Sequence, residues 1–155
     1  MWTLALLLAC NKSPDATHPD KPEASATSGA RPSDQADVSG LTPITTPTGL
    51  TYYVLKPGTG AVAADSDTVH MHYSGWLTNG KPVDSSAGRN PISFVLGRRK
   101  VIAGWDQGIL GMAVGEKRQL RIPYALGYGE GGRSPKVPPS SDLIFDIELV
   151  SIDGK

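Results

Sequence analysis

Residues 143 to 152 read L-I-F-D-I-E-L-V-S-I, and this run decides the fold class. Leu143, Phe145, Ile147 and Leu149 point one way, while Asp146 and Glu148 point the other. Side chains along a strand alternate between faces, so this strand has one apolar face and one wet face. That is the pattern of an antiparallel sheet covered on a single side. Moving back along the chain, Thr68 to Leu77 (T-V-H-M-H-Y-S-G-W-L) repeats it. Val69, Met71 and Tyr73 share one face; His70, His72 and Ser74 share the other. Asn79-Gly80 follows as a two-residue hairpin turn. Thr51 to Lys56, closed by Pro57-Gly58, and Ser93 to Leu96 are further strands. Lys117 to Ile122 alternates charge with Leu120 and Ile122. Only residues 102 to 110 favour a helix, with Ile102, Trp105 and Ile109 on one face. Gly104 and Gly108 weaken it in isolation, so packing has to hold it, and the apolar sheet face is the natural partner. The expected class is α+β, a twisted antiparallel sheet covering one short helix.

The folded part is expected to run from Gly49 to Lys155. Upstream the composition changes. Between Trp2 and Tyr52 there is no aromatic residue, and six prolines from Pro14 to Pro47 interrupt a Ser/Thr/Ala/Asp background. Such a segment buries too little apolar surface to offset its ordering entropy, so residues 11 to 48 read as a disordered tether. Its flexible-coil reach is roughly 35 Å. Met1 to Cys10 (M-W-T-L-A-L-L-L-A-C) is too short to span a bilayer but has the length of a signal-peptide apolar region. Leu7-Leu8-Ala9-Cys10 resembles a bacterial lipobox, although no Lys or Arg precedes the apolar run. Lipid attachment at Cys10 and a lipid-anchored place in a bacterial cell envelope, periplasmic or on the outer face, are the resulting expectations. A chance apolar terminus with an inert cysteine is the alternative.

The bulk numbers set bounds. Of 155 residues, 39% are hydrophobic and 19% charged, which suits one domain with a packed core. Lys plus Arg number 15, as do Asp plus Glu, so no general attraction to nucleic acid is expected. Gly 18 and Pro 13 favour turns over a helical bundle. A lone cysteine excludes an intrachain disulfide and a Cys-based zinc site. Gly58 to Ala63 (G-T-G-A-V-A) fits a dinucleotide fingerprint, but another strand follows it where that motif needs a helix. His70 and His72 sit two apart on one face without an evident third ligand. Arg98-Arg99-Lys100 reads as a solvated basic loop. No nucleophile elbow and no metal-binding helix motif occurs. No cofactor or metal is expected. What stands out instead is Asp84 after the hairpin, Trp105 in mid-helix, and Tyr128 in a glycine-rich loop.

Five stretches carry a family resemblance: V-H-M-H-Y-S-G-W-L (69 to 77), N-G-K-P-V-D-S-S (79 to 86), F-V-L-G-R-R-K-V-I-A-G-W-D-Q-G (94 to 108), M-A-V-G-E-K (112 to 117), and Y-G-E-G-G followed after four residues by V-P-P-S-S-D-L-I-F-D-I-E-L (128 to 149). In order and spacing they resemble the FKBP immunophilins, over nearly all of residues 49 to 152. The resemblance implies a five- or six-stranded half-barrel wrapped on the helix, with a shallow apolar pocket between them. It also implies a peptidyl-prolyl cis/trans isomerase acting on proline-containing polypeptides, with macrolides such as tacrolimus and rapamycin as ligands.

Carried over residue by residue, Trp105 is the floor under the proline ring. Tyr73, Phe94, Val101, Ile102 and Phe145 are its walls, with Val83 and Ile92 at the rim and Val137 among the substrate-binding residues. The Tyr128 hydroxyl and the Ile102 N–H donate to substrate carbonyls. Asp84 is a fixed negative charge beside the displaced carbonyl carbon or holds the polar groups of the pocket in place; the alternative is a turn carboxylate capping backbone N–H groups. Where the family often has aromatics this chain has Val83 and Ile92, and Lys136 replaces an apolar residue. The rim is thus smaller and partly charged, which bears on macrolide affinity more than on activity, and Lys136 suggests tolerance of acidic flanks. A monomer is expected. The competing readings are a peptide-binding or chaperone module with weak catalysis, and a structural envelope lipoprotein.

Overall fold

The computed structural model describes residues 33–155; the expected signal segment, Cys10 and the first part of the expected tether lie outside them. Among the described residues are seven strands: β1 (Ile44–Thr45), β2 (Thr51–Lys56), β3 (Thr68–Leu77), β4 (Pro82–Ser85), β5 (Ile92–Val95), β6 (Lys117–Ile122) and β7 (Leu143–Ile152). One helix, α1 (Ala103–Ile109), and a 3-10 turn (Tyr124–Leu126) complete the list. The strands form one antiparallel sheet in the order β1-β2-β6-β7-β3-β4, with β5 also paired to β3.

The period-two runs place one continuous apolar face. Val69, Met71, Leu120, Ile122, Leu143, Phe145, Ile147 and Leu149 are all buried there, together with Trp105 and Ile109 of α1. The two helix glycines explain how α1 gets close enough. A β-carbon on Gly104 would stand 2.6 Å from Ile122, and one on Gly108 would stand 2.8 Å from Leu120. The residues that weaken the helix locally are the ones that let it dock on β6.

Four expectations need correction. The sheet has seven strands where the resemblance implied five or six: β1 has only two residues, and β4 (P-V-D-S) carries Pro and Asp, which strands seldom hold. The folded part begins ahead of Gly49. Ile44 and Thr45 pair with Tyr52 and Thr51, and Ala36 is held against the back of the sheet. Its N–H donates to Asp146 Oδ2 (2.6 Å), and the Gln119 amide donates to its C=O (3.0 Å). The hairpin after β3 has a three-residue loop: Leu77 N–H donates to the Lys81 C=O, and Gly80 N–H donates to the Leu77 C=O. Finally, β6 does not simply alternate charge with apolar residues. Arg118 is inside with Leu120 and Ile122, and Gln119 is fully buried on the opposite face.

Arg118 is accommodated because every side of it finds a partner. Its Nε donates to Glu116 Oε1 at 2.5 Å, and its terminal nitrogens donate to the C=O groups of Gly108 and Gly111. Its guanidinium lies 4.6 Å from the centroid of the Tyr52 ring. A buried charge is tolerated only when paired and hydrogen-bonded in this way. The Gly108 carbonyl is one that the end of α1 leaves without an intrahelical partner, and Gly111 lies in the turn that follows.

Candidate active site

Strand register brings the candidate residues together. Tyr52 faces Leu120, Leu120 faces Phe145, Phe145 faces Gly75, and Gly75 faces Asp84. Directly paired residues share a sheet face. Asp84 therefore joins the apolar face at its β4 edge, in the same row as Phe145. The Phe145 ring has space only because its partner is glycine; a β-carbon on Gly75 would stand 2.2 Å from it.

Trp105 lies at the centre, 4% exposed. The Tyr73 ring meets the indole nearly edge-on at 5.0 Å and 75°, and Phe145 does so at 5.3 Å and 89°. Phe94 is tilted against it at 6.1 Å. The Tyr73 and Phe145 contacts are the edge-to-face arrangements that ring quadrupoles favour. Tyr73, Ile92, Phe94, Val101, Ile102 and Tyr128 pack on the core but stay half exposed. They form the accessible border of an aromatic cluster whose centre is the indole. Val83, expected at the rim, is 6% exposed, and Val137, expected to bind substrate, is 2% exposed, so both back the cluster from within. The indole N–H is buried and has no acceptor among the described residues.

Polar groups stand at the border. The Tyr73 hydroxyl donates to Asp84 Oδ2 at 2.8 Å, and Ser85 N–H and Arg89 both reach Oδ1. Burial pushes the Asp84 carboxyl up, but these three donors and the field of Lys136 outweigh it, and its pKa lies below the usual 3.8. Burial and then the adjacent carboxylate push the Tyr73 hydroxyl above 10.0. Asp84 does cap the Ser85 N–H, as a turn carboxylate would, and is also fixed by two side chains. Arg133 donates to the Tyr128 oxygen at 3.1 Å and lies over its ring, which leaves the Tyr128 O–H free to donate elsewhere. The Ile102 N–H has no acceptor among the described residues.

Three residues that hold this site were not foreseen. Arg89 fixes Asp84 from five positions downstream. Asp106 accepts the N–H groups of Gly97 and Arg99, so it holds the basic loop that leads into Val101 and Ile102. Gly75 makes room for Phe145; a glycine inside a strand pattern is the one available signal for such a close approach.

Other sequence candidates go elsewhere. His70 turns to Asp153 (2.8 Å) and His72 to Ser86 (2.9 Å), each with its own partner. Residues 58 to 63 are pinned to the Met112–Val114 backbone, and strand β3 follows them. Cavities of about 330 and 430 Å³ open on the back of the sheet, with Tyr73 among the lining residues of the first, and beside the end of β6.

Similarity to known proteins matches this arrangement. A family model described as FKBP-type peptidyl-prolyl cis-trans isomerase matches residues 60–150. The Arabidopsis thaliana protein named peptidyl-prolyl cis-trans isomerase FKBP15-1 is 53% identical over 94 residues, which cover 60% of this chain and 61% of that protein. FK506-binding protein 2 of Dictyostelium discoideum is 45% identical over 128 residues, covering 81% and 86%. The crystal structure of AtFKBP13 superposes with a TM-score of 0.67 at 40% identity, over 71% of this chain and 98% of that one. That of FkpA from Escherichia coli gives 0.66 at 43%, over 71% and 51%.

Proposed function

The chain belongs to the FKBP-type peptidyl-prolyl cis-trans isomerase family, and from that premise we propose that it accelerates rotation about X-Pro peptide bonds in proline-containing polypeptides. The observation that carries this reading is a buried indole ringed by aromatic edges, with a locked carboxylate and two unsatisfied donors at the border.

An X-Pro bond turns slowly because a barrier of about 18–20 kcal/mol opposes twisting of the amide. No bond breaks, so nucleophiles and metals are not required. A thousandfold to millionfold gain needs roughly 4–8 kcal/mol of selective transition-state stabilisation. In this reading the proline ring lies over Trp105, between Tyr73, Phe94, Val101, Ile102 and Phe145. Little water remains around the amide, and its charge-separated planar form loses solvation. The Ile102 N–H and the Tyr128 O–H hold flanking carbonyls, leaving the bond between them free to turn. Asp84 supplies a fixed negative charge, kept in one orientation by Tyr73 and Arg89, beside the carbonyl carbon as it leaves the plane.

Proline-limited refolding of a client protein tests the proposal. The full chain at micromolar concentration is expected to speed the slow phase. Tyr128→Phe is expected to reduce that gain about three- to tenfold, the value of one hydrogen bond. An unchanged slow phase with folded protein contradicts the reading.

Val83, Ile92 and Lys136 favour one second reading, a peptide-binding or holdase module with weak catalysis. It requires aggregation suppression that survives Asp84→Ala and Tyr128→Phe. Macrolide binding belongs to the same aromatic cluster and is proposed with it. Lipid attachment at Cys10, and with it a cell-envelope location, is supported only by the Leu7-Leu8-Ala9-Cys10 run. Among the described residues no helix is long and apolar enough to cross a membrane. Labelling with a fatty-acid probe that is lost in Cys10→Ser would support the anchor.

A further inference from the structure

Beside Asp84, away from the indole, lies a chamber of about 230 Å³ lined by Val83, Asp84, Arg133, Ser134, Pro135, Lys136 and Val137. It is below the usual size of a small-molecule site, and it suits one side chain with water. It adjoins the aromatic cluster through Asp84, which lines the chamber and accepts the hydroxyl of Tyr73. A side chain adjoining a proline over Trp105 is thus within reach of it.

The charges around the chamber do not balance. Arg89, Arg133 and Lys136 are the nearby cations; Asp84 and Asp34, which shares the adjoining cavity with Lys136, are the carboxylates. Both Asp84 oxygens are already engaged by Tyr73, Ser85 and Arg89. The Lys136 ammonium has no hydrogen bond or ion pair among the described residues and is felt by Asp84 only through its field. Arg133 uses one nitrogen on the Tyr128 hydroxyl and keeps other N–H groups open. Glu130, in the same loop, is exposed and lines neither cavity. An open ammonium and an open guanidinium edge across a small chamber recognise a carboxylate.

We propose that this chamber is a subsite for the acidic side chain of a glutamate or aspartate next to the substrate proline, so that acid-flanked prolines are preferred substrates. The inference rests on the isomerase reading of the aromatic cluster and names a substrate class for it. Because the cations are exposed, the preference is modest and screened by salt.

The experiment compares peptides that differ only in carrying Glu or Gln directly before or directly after proline, using the full chain. At low ionic strength the Glu peptide is expected to show a kcat/KM about three- to tenfold higher in at least one position, falling toward parity at roughly 0.5 M salt. Lys136→Met removes the charge and keeps the stem. It is expected to abolish the Glu preference through KM, whereas Arg133→Gln, which also frees Tyr128, lowers kcat for both peptides. Glu and Gln peptides turned over equally in both positions at low salt would overturn the subsite, as would a preference that survives Lys136→Met. If no peptide is turned over, the isomerase reading fails separately, and calorimetric binding decides the subsite. Tighter binding of the Glu peptide that Lys136→Met abolishes supports it, and equal affinities overturn it.

Discussion

A methyl group on residue 75 would enter the Phe145 ring, and that one contact links backbone, packing and chemistry. Gly75 faces both Phe145 and Asp84 across its two neighbours, so Gly75→Ala has to displace the wall of the site or part β3 from β4. Overpacking of this kind costs about 1–3 kcal/mol. Catalysis is expected to fall further than thermal stability alone accounts for, as measured by kcat/KM beside a melting curve. The Asp84 and Tyr73 pair sets the pH behaviour. A carboxylate with a lowered pKa contributes stability above its unfolded value, and loses it as pH falls through the folded one. A hydroxyl with a raised pKa contributes stability below its unfolded value, and loses it as pH rises through the folded one. Between about pH 5 and pH 9 neither group changes charge. The peptide isomerisation rate is therefore expected to be flat across that window, and a bell-shaped profile inside it would assign the titrating role to other groups.

Among the elements, α1 shows how a weak sequence makes a fixed structure. Its glycines, read from sequence as a liability, are what seat it on Leu120 and Ile122. The Gly108 carbonyl near its end is closed by Arg118, which no alternation rule reveals, because an inward arginine looks like a surface residue until Glu116 and Tyr52 are seen around it. Arg118→Leu leaves Glu116 buried without its partner and is expected to cost about 3–5 kcal/mol, with part recovered in the Glu116→Gln/Arg118→Leu double variant. Chemical denaturation of the two variants measures this. The long strands β3 and β7 were legible because ten residues give five repeats of a two-residue period. The two residues of β1 offer no such signal, and β4, P-V-D-S, carries Pro and Asp where strands seldom hold them. The same logic governs the site. Trp105 and Tyr128 stood out as aromatics where the core pattern did not require them. Arg89 and Asp106 act through loops whose geometry is not periodic.

At the scale of the whole molecule, one sheet serves two purposes. Its apolar face holds α1 and the aromatic cluster, while its back holds the incoming chain at Ala36 through Asp146 and Gln119. The chain ahead of Gly49 is therefore held against the domain, at Ala36 on the back of the sheet and at Asp34 beside the cavity that Asp84 and Lys136 also line. The central claim is that the aromatic cluster stabilises a proline amide in mid-rotation. Exchange spectroscopy on a short proline peptide tests it most directly, because it reads the cis and trans populations and their interconversion in the same sample. A catalytic amount of the full chain is expected to bring cis and trans resonances into measurable exchange while leaving their equilibrium ratio in the free peptide unchanged, and Trp105→Leu is expected to remove most of that exchange. Exchange no faster than in the peptide alone, or equally fast with Trp105→Leu, would contradict the account.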